Sequence, residues 1–95
     1  MKDYQERAKI FKAFCDPNRL QILAYLRSGQ KCSCFLLEKM AISQSTLSYH
    51  MKILCDAGVV VGTPDGKWTH YGLSPKGIAK AQRILRTMTN SVSTK

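Results

Sequence analysis

The chain is 95 residues long, enough for one small hydrophobic core, and this excludes a two-domain enzyme. Fifteen Lys and Arg against six Asp and Glu leave a net charge of +9, an excess that points to a polyanion, nucleic acid first, as partner. A content of 44% hydrophobic and 22% charged residues excludes a disordered or fibrous chain.

The first segment, Asp3 to Phe14, carries Tyr4, Ala8, Phe11 and Cys15 at helical spacing, which predicts a first helix. No run approaches the roughly 18 apolar residues of a membrane span, and Met1 to Ile10 is charged, so no export signal or membrane partner is expected and the location expected is cytoplasmic. Asp16-Pro17 reads as an N-cap followed by proline at the first helical position. Leu20, Ile22, Leu23, Ala24 and Leu26 then make a buried second helix that Gly29 ends.

A short third helix is predicted from about Ser33, turning Leu36, Leu37 and Met40 inward. Ser43 caps a fourth helix running to about Asp56, with Leu47, Met51 and Leu54 on one face. Two helices joined by so few residues, over 33–56, form a helix-turn-helix candidate. Beyond Gly58 the period changes: Val59, Val60 and Val61 are β-branched, Thr63-Pro64-Asp65-Gly66-Lys67 is turn chemistry, and Trp68 to Leu73 is again extended. A β-hairpin over 59–73 is expected. Ser74-Pro75 caps a last helix with Ile78, Ala81, Leu85 and Met88 on one stripe, before a polar tail over 91–95.

On the fourth helix, a rotation of roughly 100° per residue sets Ser45, Ser48, Tyr49 and Lys52 opposite the apolar stripe. Hydroxyls, a phenol and an ammonium can hydrogen-bond base edges and phosphates, and Gln44 can address an adenine edge. A merely solvated polar face would look the same; the charge and the hairpin that follows favour DNA. A helix-turn-helix with a basic hairpin is a winged helix, in which Lys67 and His70 reach phosphate or the minor groove. Trp68 and Tyr71 read as packing residues. His50 and His70 stand alone, without a partner at metal-ligand spacing.

Cys32-Ser33-Cys34, the run Ser43 to Leu54, Ala57-Gly58-Val59-Val60 and Gly66 to Tyr71 together resemble the ArsR/SmtB family of winged-helix metalloregulatory repressors, in its arsenic-type CxC branch. Asp16 to Leu23 resembles the family's second-helix signature, and the likeness extends over about Ala8 to Ser74. The resemblance implies a mainly α winged helix-turn-helix of order α1-α2-α3-α4-β-β-α5, forming one domain over 1–95. It implies a homodimer paired through helices in 1–15 and 75–90, bound to a palindromic double-stranded operator and released by a metal or metalloid. It assigns DNA contact to Gln44, Ser45, Thr46, Ser48, Tyr49, His50, Lys52, Lys67 and His70. Twofold pairing is also favoured independently: the first and last helices carry more apolar surface than a small core needs, and paired helices can sit roughly 34 Å apart on successive turns of the groove.

Cys32 and Cys34 fall at the predicted start of the third helix, where free N–H groups, the helix dipole and Lys31 favour thiolate. No cofactor is required; as inducers, thiolates select As(III) or Sb(III), then Cd, Pb or Zn. Residues two apart on a helix point roughly 200° away from one another, so both sulfurs hold one ion only where the first turn is extended. The family's further cysteine three positions on is Leu37 here. A third ligand then comes from Cys15, Cys55, hydroxide or a small thiol, although the second helix separates Cys15 from Cys32 by roughly 18 Å within one subunit. The last helix lacks His, Asp and Glu, which removes the family's zinc-type site.

Two other functions are weighed. A thiol redox sensor of the same fold would need Cys15 or Cys55 as partner, because an immediate CxC makes a strained disulfide and reduced thiols are expected. A small thiol enzyme has little to draw on, with no CxxC and only six carboxylates, so no enzyme is expected.

Overall fold

A computed structural model describes residues 2–91; Met1 and 92–95, most of the expected tail, lie outside the described residues. The elements are α1 (Lys2–Lys12), α2 (Pro17–Leu26), β1 (Lys31–Cys32), α3 (Ser33–Met40), α4 (Gln44–Asp56), β2 (Val60–Asp65), β3 (Trp68–Leu73) and α5 (Pro75–Thr89). This is a winged helix, mainly helical with one small sheet.

Local chemistry sets most boundaries. Asp16 is extended, and its carboxylate accepts the N–H groups of Asn18 at 2.8 Å and Arg19 at 3.3 Å, starting α2 with Pro17 in its first turn. α1 ends at Lys12, earlier than the apolar pattern suggested, because Ala13, Phe14 and Cys15 close tight turns back onto Ile10, Phe11 and Lys12. α3 stops at Ala41, which takes the left-handed conformation at φ 53°. A turn of Ala41, Ile42 and Ser43 then leads to α4, where the Ser43 hydroxyl accepts the Thr46 N–H at 3.1 Å. Gly58, at φ +82°, ends that helix.

The sheet departs from the expected hairpin. β3 pairs with β2 on one side and, on the other, antiparallel with β1, in the order β1-β3-β2. Lys31 faces Tyr71 and Cys32 faces His70, so the segment leading into α3 is stitched to the wing. The hairpin turn is also tighter than expected, with Asp65 opposite Trp68 and only Gly66-Lys67 between them.

One core holds these parts together: Ile10 and Ala13 of the α1 end, Ile22 and Leu26 of α2, Leu36, then Leu47, Met51 and Leu54 of α4, Val59 and Val60, and Ala81 of α5. Burial of each large aliphatic side chain contributes about 2 kcal/mol. Leu20, expected inside, is 51% exposed, and Ala24 is exposed too; α2 turns Ile22 and Leu26 inward instead.

α1 and α5 lie together, with an Arg7 Nη1–Met88 Sδ contact of 2.9 Å. Much of their apolar stripe is open: Tyr4 is 56%, Leu85 52% and Met88 45% exposed. A groove of about 340 Å³ runs between them, lined by Phe11, Phe14, Ile78, Ala81 and Leu85. The molecule is correspondingly long, 57 × 22 × 20 Å with a radius of gyration of 15.1 Å; a compact chain of this length has about 12 Å.

Candidate nucleic-acid interface and thiol site

α4 presents the face read from its spacing. Gln44, Ser45, Ser48, Tyr49 and Lys52 are exposed, while Leu47, Met51 and Leu54 hold the helix to the core. The Lys52 ammonium meets Asp56 at 3.3 Å on the surface, a weak pairing that leaves it available to a phosphate. Thr46 is half-buried, its hydroxyl accepting a bond from Ser43 at 2.9 Å, so it belongs to the cap that fixes the helix start.

His50 requires a correction. It is 5% exposed and faces α2, with Nδ1 2.9 Å from Arg19 Nη1 and Nε2 3.4 Å from the Asn18 amide. It cannot touch DNA from there. The signal lay in its spacing, three residues after Leu47 and four before Leu54, which places it on the inner face.

At the wing, Lys67 is exposed, with its ammonium 5.5 Å above the Trp68 ring. His70 Nε2 lies 3.0 Å from Asp65 Oδ2, so this imidazole is tied within the wing, facing a carboxylate that repels phosphate. Tyr71 is half-buried, and that burial pushes its phenol up from the usual range. Of the two wing residues expected to reach DNA, Lys67 is the one that faces no carboxylate among the described residues.

The thiol pair sits where β1 becomes α3. Cys32 is the N-cap, extended at φ −69° and ψ 145°, and its sulfur accepts the Cys34 N–H at 3.2 Å. The extended cap removes the helical divergence, so Cys32 and Cys34, with Cα atoms 5.2 Å apart, meet sulfur to sulfur as a disulfide. An adjacent CxC pair can therefore join without a remote partner, contrary to expectation. Between them, the Ser33 hydroxyl accepts the Thr69 N–H of β3 at 3.3 Å. Lys31 leans away, donating to Ser28 Oγ at 3.0 Å and lying 5.8 Å over the Phe35 ring.

Neither proposed third ligand joins the pair within the chain. Among the described residues no cluster of three His, Cys, Asp or Glu side chains is placed to hold a metal. Cys15 is exposed at the α1–α2 turn. Cys55 is half-buried at the end of α4, and its thiol is pushed up first by burial and then by the charge of Asp56, with the Gly62 backbone partly opposing. A raised thiol holds little thiolate at neutral pH. Iodoacetamide at pH 7.5 is therefore expected to label Cys15 at least about tenfold faster than Cys55, read by peptide mass spectrometry; equal rates would refute the assignment.

A capped helix with an open polar face, held three residues after a supporting helix and followed by a β-hairpin that exposes Lys67, defines a winged-helix DNA-binding regulator rather than an enzyme. The pattern described as "Bacterial regulatory protein, arsR family" matches residues 16–61. An uncharacterized HTH-type transcriptional regulator of Methanocaldococcus jannaschii is 42% identical over 72 residues, covering 75% of this chain and 81% of its own. The arsenical resistance operon repressor of Staphylococcus xylosus is 44% identical over 71 residues, covering 75% and 68%; that of Bacillus subtilis is 37% identical over 79 residues, covering 82% and 72%. Among solved structures, a possible transcriptional regulator for arsenical resistance superposes with a TM-score of 0.77 at 25% identity, covering 87% of this chain and 86% of the other. The chain belongs to the arsR family of transcriptional regulators. No helix among the described residues is long and apolar enough to cross a membrane.

Proposed function

We propose that this protein is a homodimeric repressor that leaves its operator when a thiophilic metalloid, As(III) or Sb(III) before Cd, Pb or Zn, binds the Cys32 and Cys34 thiolates. The observation that carries the reading is the convergence of the two sulfurs on an extended N-cap. Two soft donors at one point suit a thiophilic ion, and hydroxide, a small thiol or a partner subunit's cysteine completes the shell. The arsenical resistance repressors among its relatives support the same inducer class.

DNA contact falls to Gln44, Ser45, Ser48, Tyr49 and Lys52 on α4 and to Lys67 on the wing. The open stripes of α1 and α5 and the groove between them support pairing through those helices. β1 lies against β3 and Ser33 holds Thr69, so a change at the thiols bears directly on the wing as well as on α3. Inside the cell, which we infer to be its compartment, the thiols are reduced and available.

The test is a titration of arsenite into the protein on its promoter duplex with reductant present. Release is expected at an arsenite excess at which magnesium does nothing. Lys52→Ala should lower the slope of log affinity against log salt by about one. Binding that ignores arsenite, antimonite and cadmium would reject the inducer assignment.

The joined sulfurs favour a second reading, a redox sensor. Peroxide would then take two thiols to one disulfide and two waters, a loss of two hydrogens by mass, and DNA would be released without any metalloid.

A further inference from the structure

The two buried polar side chains of the described core, Arg19 and His50, are each 5% exposed, and they touch. Arg19 leaves the first turn of α2 and addresses two further elements. Its Nε donates to the Ala13 carbonyl at 3.2 Å and its Nη2 to the Lys12 carbonyl at 3.3 Å, both at the end of α1. Carbonyls there carry the negative end of the helix dipole, so a cation suits them. The remaining nitrogen, Nη1, meets His50 Nδ1 of α4 at 2.9 Å.

A guanidinium only donates, so His50 Nδ1 accepts from it. Nε2 lies 3.4 Å from the Asn18 amide nitrogen. The other groups facing the ring are the Asp16 carboxylate, 3.9 Å from Nδ1, and the edge-on Tyr49 ring at 5.2 Å. One bond therefore ties the end of α1 to the middle of α4, between Ser48 and Lys52.

We propose that Arg19 and His50 are positioning residues for DNA binding: their bond sets the rotation of α4 against the end of α1, and with it where Ser45, Ser48, Tyr49 and Lys52 meet the groove. The proposal rests on the DNA-binding reading of α4. It requires a hydrogen-bond acceptor at the position of His50 Nδ1.

The test uses the full chain and a duplex selected by the wild-type protein from a randomised pool, at one fixed salt and pH. His50→Asn places an amide oxygen where Nδ1 accepts, and should bind within about twofold of wild type. His50→Leu removes the acceptor and should bind about tenfold more weakly.

Equal binding by the Asn and Leu variants would overturn the proposal. If His50→Leu does not fold, as judged by circular dichroism, Arg19→Lys, which keeps the charge but cannot span the α1 carbonyls and the ring together, takes its place, and binding equal to wild type overturns the proposal. A pool that yields no bound duplex overturns the DNA-binding reading, and the positioning role with it.

Discussion

Gly77→Ala is expected to destabilise the protein by about 3 kcal/mol or more, although alanine in a helix is ordinarily favoured over glycine by about 1 kcal/mol. Gly77 lies in the first turn of α5, where its N–H bonds the Ser74 hydroxyl at 3.1 Å. Ser74 itself donates its N–H to the Val59 carbonyl at 2.9 Å. These bonds press the start of α5 onto the turn that ends α4. A Cβ on Gly77 would overlap the carbonyl oxygen and carbon of Gly58, and both neighbours are backbone, so no side chain can swing aside. Gly58 cannot easily yield, because it already holds φ +82° to close α4. Relief would require α5 to lift away, taking Ala81 out of the core and shifting the helix to which the proposed pairing is assigned. Urea unfolding would show the lowered midpoint, and sedimentation would show loss of the proposed self-association. A variant as stable as wild type would mean that the start of α5 is not seated on Gly58 as described.

The features legible in the sequence are those fixed by neighbours in the chain. Asp16-Pro17, Ser43 and Ser74-Pro75 each start a helix as expected, because a cap is a bond between residues two or three apart. The outer face of α4 was legible for a similar reason, since helical periodicity alone separates Ser45, Ser48, Tyr49 and Lys52 from the core. β1 was not legible: two residues have no period, and Lys31-Cys32 become a strand only by pairing with Tyr71 and His70, some forty positions away. Arg19 was not singled out in the sequence, because its carbonyl and imidazole partners come from other elements. His50 was misplaced although its spacing from Leu47 and Leu54 was informative, since its neighbours in the motif drew it to the DNA face. Leu20 marks the opposite limit: an apolar residue at helical spacing that the fold leaves in solvent.

Cys32→Ser and Cys34→Ser are expected to leave affinity for the promoter duplex within about twofold of wild type and to raise the arsenite needed for release by about a hundredfold or more. Two thiolates held together bind one soft ion as a chelate, and the second bond forms at the high effective concentration that a shared turn provides. Either serine leaves a single soft donor. Folding does not confound the comparison at Cys32, because the position is an N-cap and serine accepts the Cys34 N–H at least as well as a thiol does. Binding and transmission can then be separated at Ser33, whose hydroxyl accepts the Thr69 N–H. Ser33→Ala keeps both thiols but cuts one of the bonds to the wing. Arsenite uptake, read as a mass increment, should persist in it, while release of the duplex weakens. Trp68, the single tryptophan, stands at the start of β3 and supplies a direct optical readout. Its fluorescence should change on arsenite addition to wild type, change less in Ser33→Ala, and not respond in either cysteine variant. A full Trp68 response and full release in Ser33→Ala would route the signal through α3 alone, whereas release persisting in both cysteine variants would remove the pair from induction altogether.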